Sequence, residues 1–228
     1  IMIKVLMFSL IASVAACSCE KGWGCDVEGG YQFEIPATLS PALDTFYIGD
    51  TISLKVDFGS QVWDTKTNQR YSLENFNFYP ATSVFRIDTM PPDGDDLYSV
   101  IQRDFEVILD STLYDYNAFQ YSDGSVAFIG QYTYSSGRYM LNFKLRAKKK
   151  GLYTLRHLNR AGIYDDMQQF DGKCKDVKLY THTVLNNDEN TNIEFLHDSP
   201  RDYWNSWVLE KPGDRYYQAG NYTFYVLE

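Results

Sequence analysis

The sequence predicts a mainly β fold, an antiparallel sandwich with a helical or irregular insertion before its final strand. Three observations carry this. Aromatic residues make up 16% of the chain, with 19 Tyr and 14 Phe, and such side chains favour the half-buried surface of a pleated sheet. Short segments alternate apolar and polar residues with the period of two that sends one set to a buried face. Gly, Pro, Asn and Asp separate those segments at the spacing of turns.

The elements follow in order. From Tyr31 the texture becomes that of short strands. Gly49-Asp50 turns the chain into a strand in which Ile52, Leu54, Val56 and Phe58 alternate with Thr51, Ser53, Lys55 and Asp57. Phe105, Val107 and Leu109 alternate likewise, and Asp123-Gly124 turns into a strand that starts with Val126 and Phe128. The clearest alternation sets Tyr139, Leu141, Phe143, Leu145 and Ala147 against Met140, Asn142, Lys144 and Arg146. Lys148-Lys149-Lys150-Gly151 then reads as a solvated turn before a strand from Leu152, and Phe224 to Leu227 closes the fold. Residues 160–210 break the pattern. Val177, Tyr180, Thr181, Val184 and Leu185 recur at helical spacing, and Asp202 precedes Trp204, Trp207 and Val208 as a helix start.

Gly151-Leu152-Tyr153, and again Gly220-Asn221-Tyr222, place a Gly-x-Tyr at the entry to a late strand. This resembles the tyrosine corner of immunoglobulin-like sandwiches, so the expected fold is an Ig-like antiparallel β-sandwich over 31–228, with its insertion at about 160–210. The Cys…Trp…Cys core of antibody domains is absent.

Residues 1–16, IMIKVLMFSLIASVAA, hold one cation, Lys4, ahead of an apolar run. The run is shorter than the ~20 residues that span a bilayer and suits the apolar core of a signal peptide. It ends in Val14-Ala15-Ala16-Cys17, which resembles the lipobox of bacterial lipoproteins. That resemblance implies cleavage after residue 16 and lipid on Cys17, with residues 17–30 a flexible Gly-rich tether. Several acyl chains, at ~0.8 kcal/mol per buried CH₂, make such an anchor effectively permanent. Further pieces are similar to envelope lipoproteins of Bacteroidetes-type bacteria: Phe46 to Ile52, the Lys-Gly-x-Tyr strand entry, Gly172-Lys173-Cys174, and Tyr222 to Val226. The resemblance implies an outer-membrane location, facing either side, and names no activity.

Cys19, Cys25 and Cys174 remain. An exported protein permits a disulfide, and three is odd. Cys25–Cys174 ties the tether to the fold, whereas Cys19–Cys25 closes a small local loop, and spacing leaves both open. Metal binding there lacks nearby His and enough ligands.

A net charge of −9 argues against a nucleic-acid partner, because phosphate backbones repel an acidic surface. His157, His182 and His197 show no metal-ligand spacing and read as surface or cap residues, and no nucleophile elbow, phosphate loop or dinucleotide motif occurs. The acidic loop Asp88 to Asp96 fails the EF-hand spacing at Pro91-Pro92 and reads as a solvated turn rather than a calcium site. Tyr203, Trp204 and Trp207 form the one ligand-like feature: an aromatic platform if exposed, core packing if not. The expectation is a non-catalytic module with a protein or glycan partner and no cofactor. A structural subunit of an envelope complex is the alternative. A polymer-degrading hydrolase is revived only by two carboxyls ~5–9.5 Å apart in an aromatic-lined groove.

Overall fold

The computed structural model describes residues 25–90, 99–109, 116–120, 126–160 and 168–228. The expected signal peptide (residues 1–16), Cys17 and Cys19, most of the 88–96 loop and the expected Asp123-Gly124 turn lie outside them. The described strands are β1 (Tyr31–Ser40), β2 (Thr45–Tyr47), β3 (Thr51–Gly59), β4 (Gln61–Asp64), β5 (Gln69–Ser72), β6 (Ala81–Arg86), β7 (Phe105–Leu109), β8 (Tyr116–Gln120), β9 (Val126–Gly130), β10 (Thr133–Ser135), β11 (Arg138–Ala147), β12 (Gly151–Leu158), β13 (Leu179–Leu185) and β14 (Asn221–Leu227). Two α-helices are described, α1 (Ile101–Asp104) and α2 (Asp202–Glu210).

The strands form the expected mainly β sandwich of two sheets. One sheet runs β10-β11-β3-β1-β4-β5, with β13 also on β1 and β7 also on β11; the other runs β2-β14-β12-β6-β9-β8. Alternation decides what each strand buries. In β3, Ile52, Leu54 and Val56 are buried, and they pair in register with Leu145, Phe143 and Leu141 of β11. The second sheet meets them with Val84, Tyr153, Leu155, Phe224 and Val226. Rings cross the interface, Phe143 with Phe128 at 5.9 Å and Phe105 with Phe224 at 6.2 Å. Each such fully buried side chain contributes roughly 1.5–3 kcal/mol of transfer free energy.

Two pairings depart from a purely antiparallel sandwich: β13 runs parallel to β1, and β2 runs parallel to β14. The strand β13 also corrects the helical reading of residues 177–185. Leu179, Thr183 and Leu185 are buried while Tyr180 is exposed and His182 and Val184 are half-buried. This is period-two burial, supported by the β-branched residues of Thr-His-Thr-Val. The later part of the insertion is helical as expected: a 3₁₀ segment at Ile193–Asp198, then α2. It covers the outer face of the second sheet, where Phe85, Ile87 and Leu152 pack against Leu196, Val208 and Tyr216.

The Tyr153 hydroxyl faces the carbonyls of Lys149 at 3.1 Å and Lys150 at 3.3 Å, as a tyrosine corner does. It also lies 3.2 Å from the carboxylate of Asp104, which is fully buried. Tyr222 differs, donating across the fold to the Leu43 carbonyl at 2.8 Å. The lysine run is more than a solvated turn. Lys149 pairs with Asp104 at 3.1 Å and Lys150 with Glu228 at 2.6 Å. Burial opposes the charge on Asp104, but hydrogen bonds from Arg103 and Lys149 overcome it and hold its pKa below the usual carboxylate range.

His157 is fully buried, which corrects its reading as a surface residue. Its Nδ1 lies 2.8 Å from the Thr82 hydroxyl and its Nε2 3.1 Å from that of Tyr132. Tyr132 donates to Asn159 Oδ1, and Asn159 Nδ2 donates to Thr183 Oγ1 at 2.8 Å. Since the Tyr132 proton is committed to Asn159, its oxygen accepts from His157, which fixes the neutral Nε2–H tautomer. Burial pulls the His157 pKa down to about 3.

Candidate functional site

Among the described residues, the outer face of the first sheet is not covered as the second sheet's is. There the outward residues of β1 and β13 stand side by side: Glu34 pairs with His182 and Pro36 with Val184. Two adjoining cavities open over them, of about 450 and 270 Å³. Glu34 and Val184 line both, so they form one groove. The larger holds His182, Asp188, Tyr217 and Gln218. The smaller holds Gln61, Trp63, Arg70 and Asn187.

Unusual backbone forms the groove's walls on both sides. After β13, Asn186, Asn187 and Asp188 take φ of 51°, 56° and 59°, one turn of left-handed helix. Left-handed conformation costs L-residues roughly 1–2 kcal/mol each, least for Asn and Asp, whose short polar side chains bond locally. The turn is pinned to β1, because Asn186 Oδ1 accepts from the Leu39 amide at 2.8 Å. The opposite wall is a π-helical turn, Gly213–Tyr217, a form found often at functional sites. Its exit is fixed by the Thr183 amide, which donates to the Gln218 carbonyl at 3.1 Å.

The electrostatics of the groove are unsettled. Burial and then the nearby Asp188 push the Glu34 pKa up, and partial burial does the same to Asp188. Neither carboxylate makes an ion pair among the described residues. Burial lowers the His182 pKa, Asp214 opposing and Lys66 assisting. His182 Nε2 and Asn186 Nδ2 are buried without a hydrogen-bond partner among the described residues, which is costly for polar atoms away from water. Arg70 lies over the Trp63 ring at 5.9 Å. No group of three or more His, Cys, Asp and Glu side chains suited to a metal occurs among the described residues.

Of the residues singled out from sequence, His182 lines the groove, while Cys25, Cys174, Trp204 and Trp207 lie elsewhere. Cys25 and Cys174 are joined in a disulfide, Cα atoms 5.5 Å apart. The Cys174 amide donates to the Tyr31 hydroxyl at 3.0 Å, and Tyr71 and Phe170 pack edge-on around the Tyr31 ring. So the described end of the expected flexible tether is tied to the fold. Of the expected aromatic platform, the two Trp side chains sit differently. Trp204 packs into the cluster behind the second sheet, while Trp207 is exposed with the Arg215 guanidinium 4.4 Å from its ring centre. The Tyr203 side chain and Cys17 lie outside what is described. Sequence reasoning missed Glu34, Trp63 and Asp188 as a group. The one local signal was the run Asn186-Asn187-Asp188, a composition that tolerates left-handed backbone.

No protein-family model and no curated protein matches the chain. Among solved structures it is similar to a type II cohesin domain from the cellulosome of Acetivibrio cellulolyticus, at 7% identity and a TM-score of 0.30, over 66% of this chain and 91% of that one. The second type II cohesin module of the adaptor ScaA scaffoldin of the same organism is similar at 8% identity and a TM-score of 0.28, over 65% and 86% of the two chains.

Proposed function

We propose that this chain is a non-catalytic binding module of the bacterial outer membrane, held there by lipid on Cys17, and that it receives its partner in the groove over β1 and β13. The observation that carries the binding role is the unsatisfied chemistry of one concave surface. Among the described residues, Glu34 and Asp188 make no ion pair and His182 Nε2 has no hydrogen-bond partner. A bound partner supplies what these groups miss. The anchor rests on Lys4, the short apolar run and Val14-Ala15-Ala16-Cys17 alone.

Two experiments test the two halves. A photo-crosslinking residue at Asn187, in cells producing the full chain, captures a partner that Val184→Arg abolishes; labelling indifferent to Val184→Arg removes the groove from the account. Intact mass and detergent partitioning of the native protein beside Cys17→Ala test the anchor, and a native protein that retains residues 1–16 unmodified ends it.

One observation favours hydrolysis as a second reading. Glu34 and Asp188 line a single cavity beside Tyr217, a pair of carboxyl groups of the kind that glycoside hydrolysis uses, and burial pushes both pKa values up. Cleavage of an envelope or foreign polymer that stops in Glu34→Gln while binding persists establishes it; a polymer recovered intact excludes it.

A further inference from the structure

We propose that the groove binds an electrically neutral oligosaccharide, one ring against Trp63 and the next beside Glu34 and His182; this rests on the binding-module reading above. Position is the first reason. The groove lies over a sheet face, where β1 is flanked by β13 and β4. With a neighbour on each side, β1 cannot take an extended polypeptide as an added strand. Recognition falls to side chains.

Those side chains are the second reason. The aliphatic lining is Val184 with Pro36, half-buried and exposed on one stripe, and Val62, which is buried beneath. An apolar peptide anchor needs a deeper pocket than that. Planar polar groups dominate instead: the amides of Gln61, Asn187 and Gln218, the carboxylates of Glu34 and Asp188, and the unpartnered nitrogen of His182. Carboxylates and amide oxygens accept from hydroxyls, amide N–H groups donate to them, and an indole offers a flat apolar face to the C–H side of a sugar ring. Two cavities meeting at Glu34 fit a chain of at least two rings. The larger, at about 450 Å³, falls within the ~300–1,000 Å³ typical of small-ligand sites.

Charge is the third reason. A uronic or sulfated sugar brings an anion against Glu34 and Asp188, which already disfavour each other's charge. A strongly basic chain meets Arg70 in the smaller cavity and Lys66 beside His182. A neutral polyhydroxylated ligand suits both halves.

The full chain, in detergent where lipidated, is screened on an array of neutral and anionic oligosaccharides, and hits are titrated by calorimetry. A lysine-rich decapeptide serves as the comparison probe. The expected result is binding to neutral members only, weakened at least about tenfold in Trp63→Ala and in Asp188→Ala and unchanged in Trp207→Ala, with circular dichroism confirming that each variant is folded. No neutral hit, preference for anionic glycans or the peptide, or binding that persists in Trp63→Ala overturns the inference. If Asn187 crosslinks to a polypeptide while no oligosaccharide binds, the glycan falls and the binding module stands; if neither occurs, both fall.

Discussion

The hydroxyl of Thr82 on β6 lies 2.8 Å from Nδ1 of His157 on β12, with both side chains wholly buried. Thr82 therefore donates to a nitrogen that must stay unprotonated, and acid breaks this contact.

The sign of the pH dependence follows. The folded His157 pKa, about 3, lies below the unfolded value near 6.5. Below pH 6.5 the unfolded chain binds a proton that the folded chain refuses. The stabilisation is complete above pH 6.5 and is lost as pH falls towards 3. Between pH 7 and 5 the loss is about 2 kcal/mol, read as a fall in urea midpoint. The depressed His182 acts in the same direction, so the measurement is made in His182→Asn; a flat profile there contradicts the buried network.

Replacing Cys174 by Ser opens a covalent loop with a sequence separation of 149. A closed loop of that length restrains the unfolded chain by about 5 kcal/mol in the chain-entropy model, and measured losses run about 2–5 kcal/mol. Chemical unfolding with and without reductant reads this directly; reduction should leave Cys174→Ser unmoved.

At Asn187, with φ of 56°, substitution separates backbone cost from side-chain contact. Asn187→Gly holds or raises stability, by up to about 1 kcal/mol. Asn187→Val lowers it by roughly 1–2 kcal/mol. Thermal midpoints of the pair decide, and equal midpoints argue against the left-handed turn.

Gly220 admits no side chain. A Cβ there stands 2.7 Å from both the His157 carbonyl oxygen and Thr183 Cγ2, at a φ of 58°. Gly220→Ala is expected to cost more than about 1 kcal/mol and to reduce amide-exchange protection around His157.

The strands that the sequence reveals are those whose inward positions are all apolar, β3 and β11 foremost. The strand β13 was hidden because its inward positions 181 and 183 are Thr, and their apparent i, i+3, i+4 recurrence mimics a helix. His157 was hidden for a related reason: a buried polar residue looks exposed until its partners on β6 and the β9–β10 connection are known. The groove was the least legible part. Glu34 and Trp63 belong to the first strands and His182 and Asp188 to the insertion, and only the parallel pairing of β1 with β13 brings them together.

That pairing also sets how the molecule bears load. The disulfide sits shortly before both parallel strands begin, at Tyr31 and Leu179. A pull arriving through residues ahead of Cys25 divides there, one branch entering β1 and the other passing through Cys174 into β13. Both strands are then drawn from the same end in the same direction. They move as a yoked pair, the bonds between them carry little shear, and Glu34 keeps its station beside His182 while the chain is under tension.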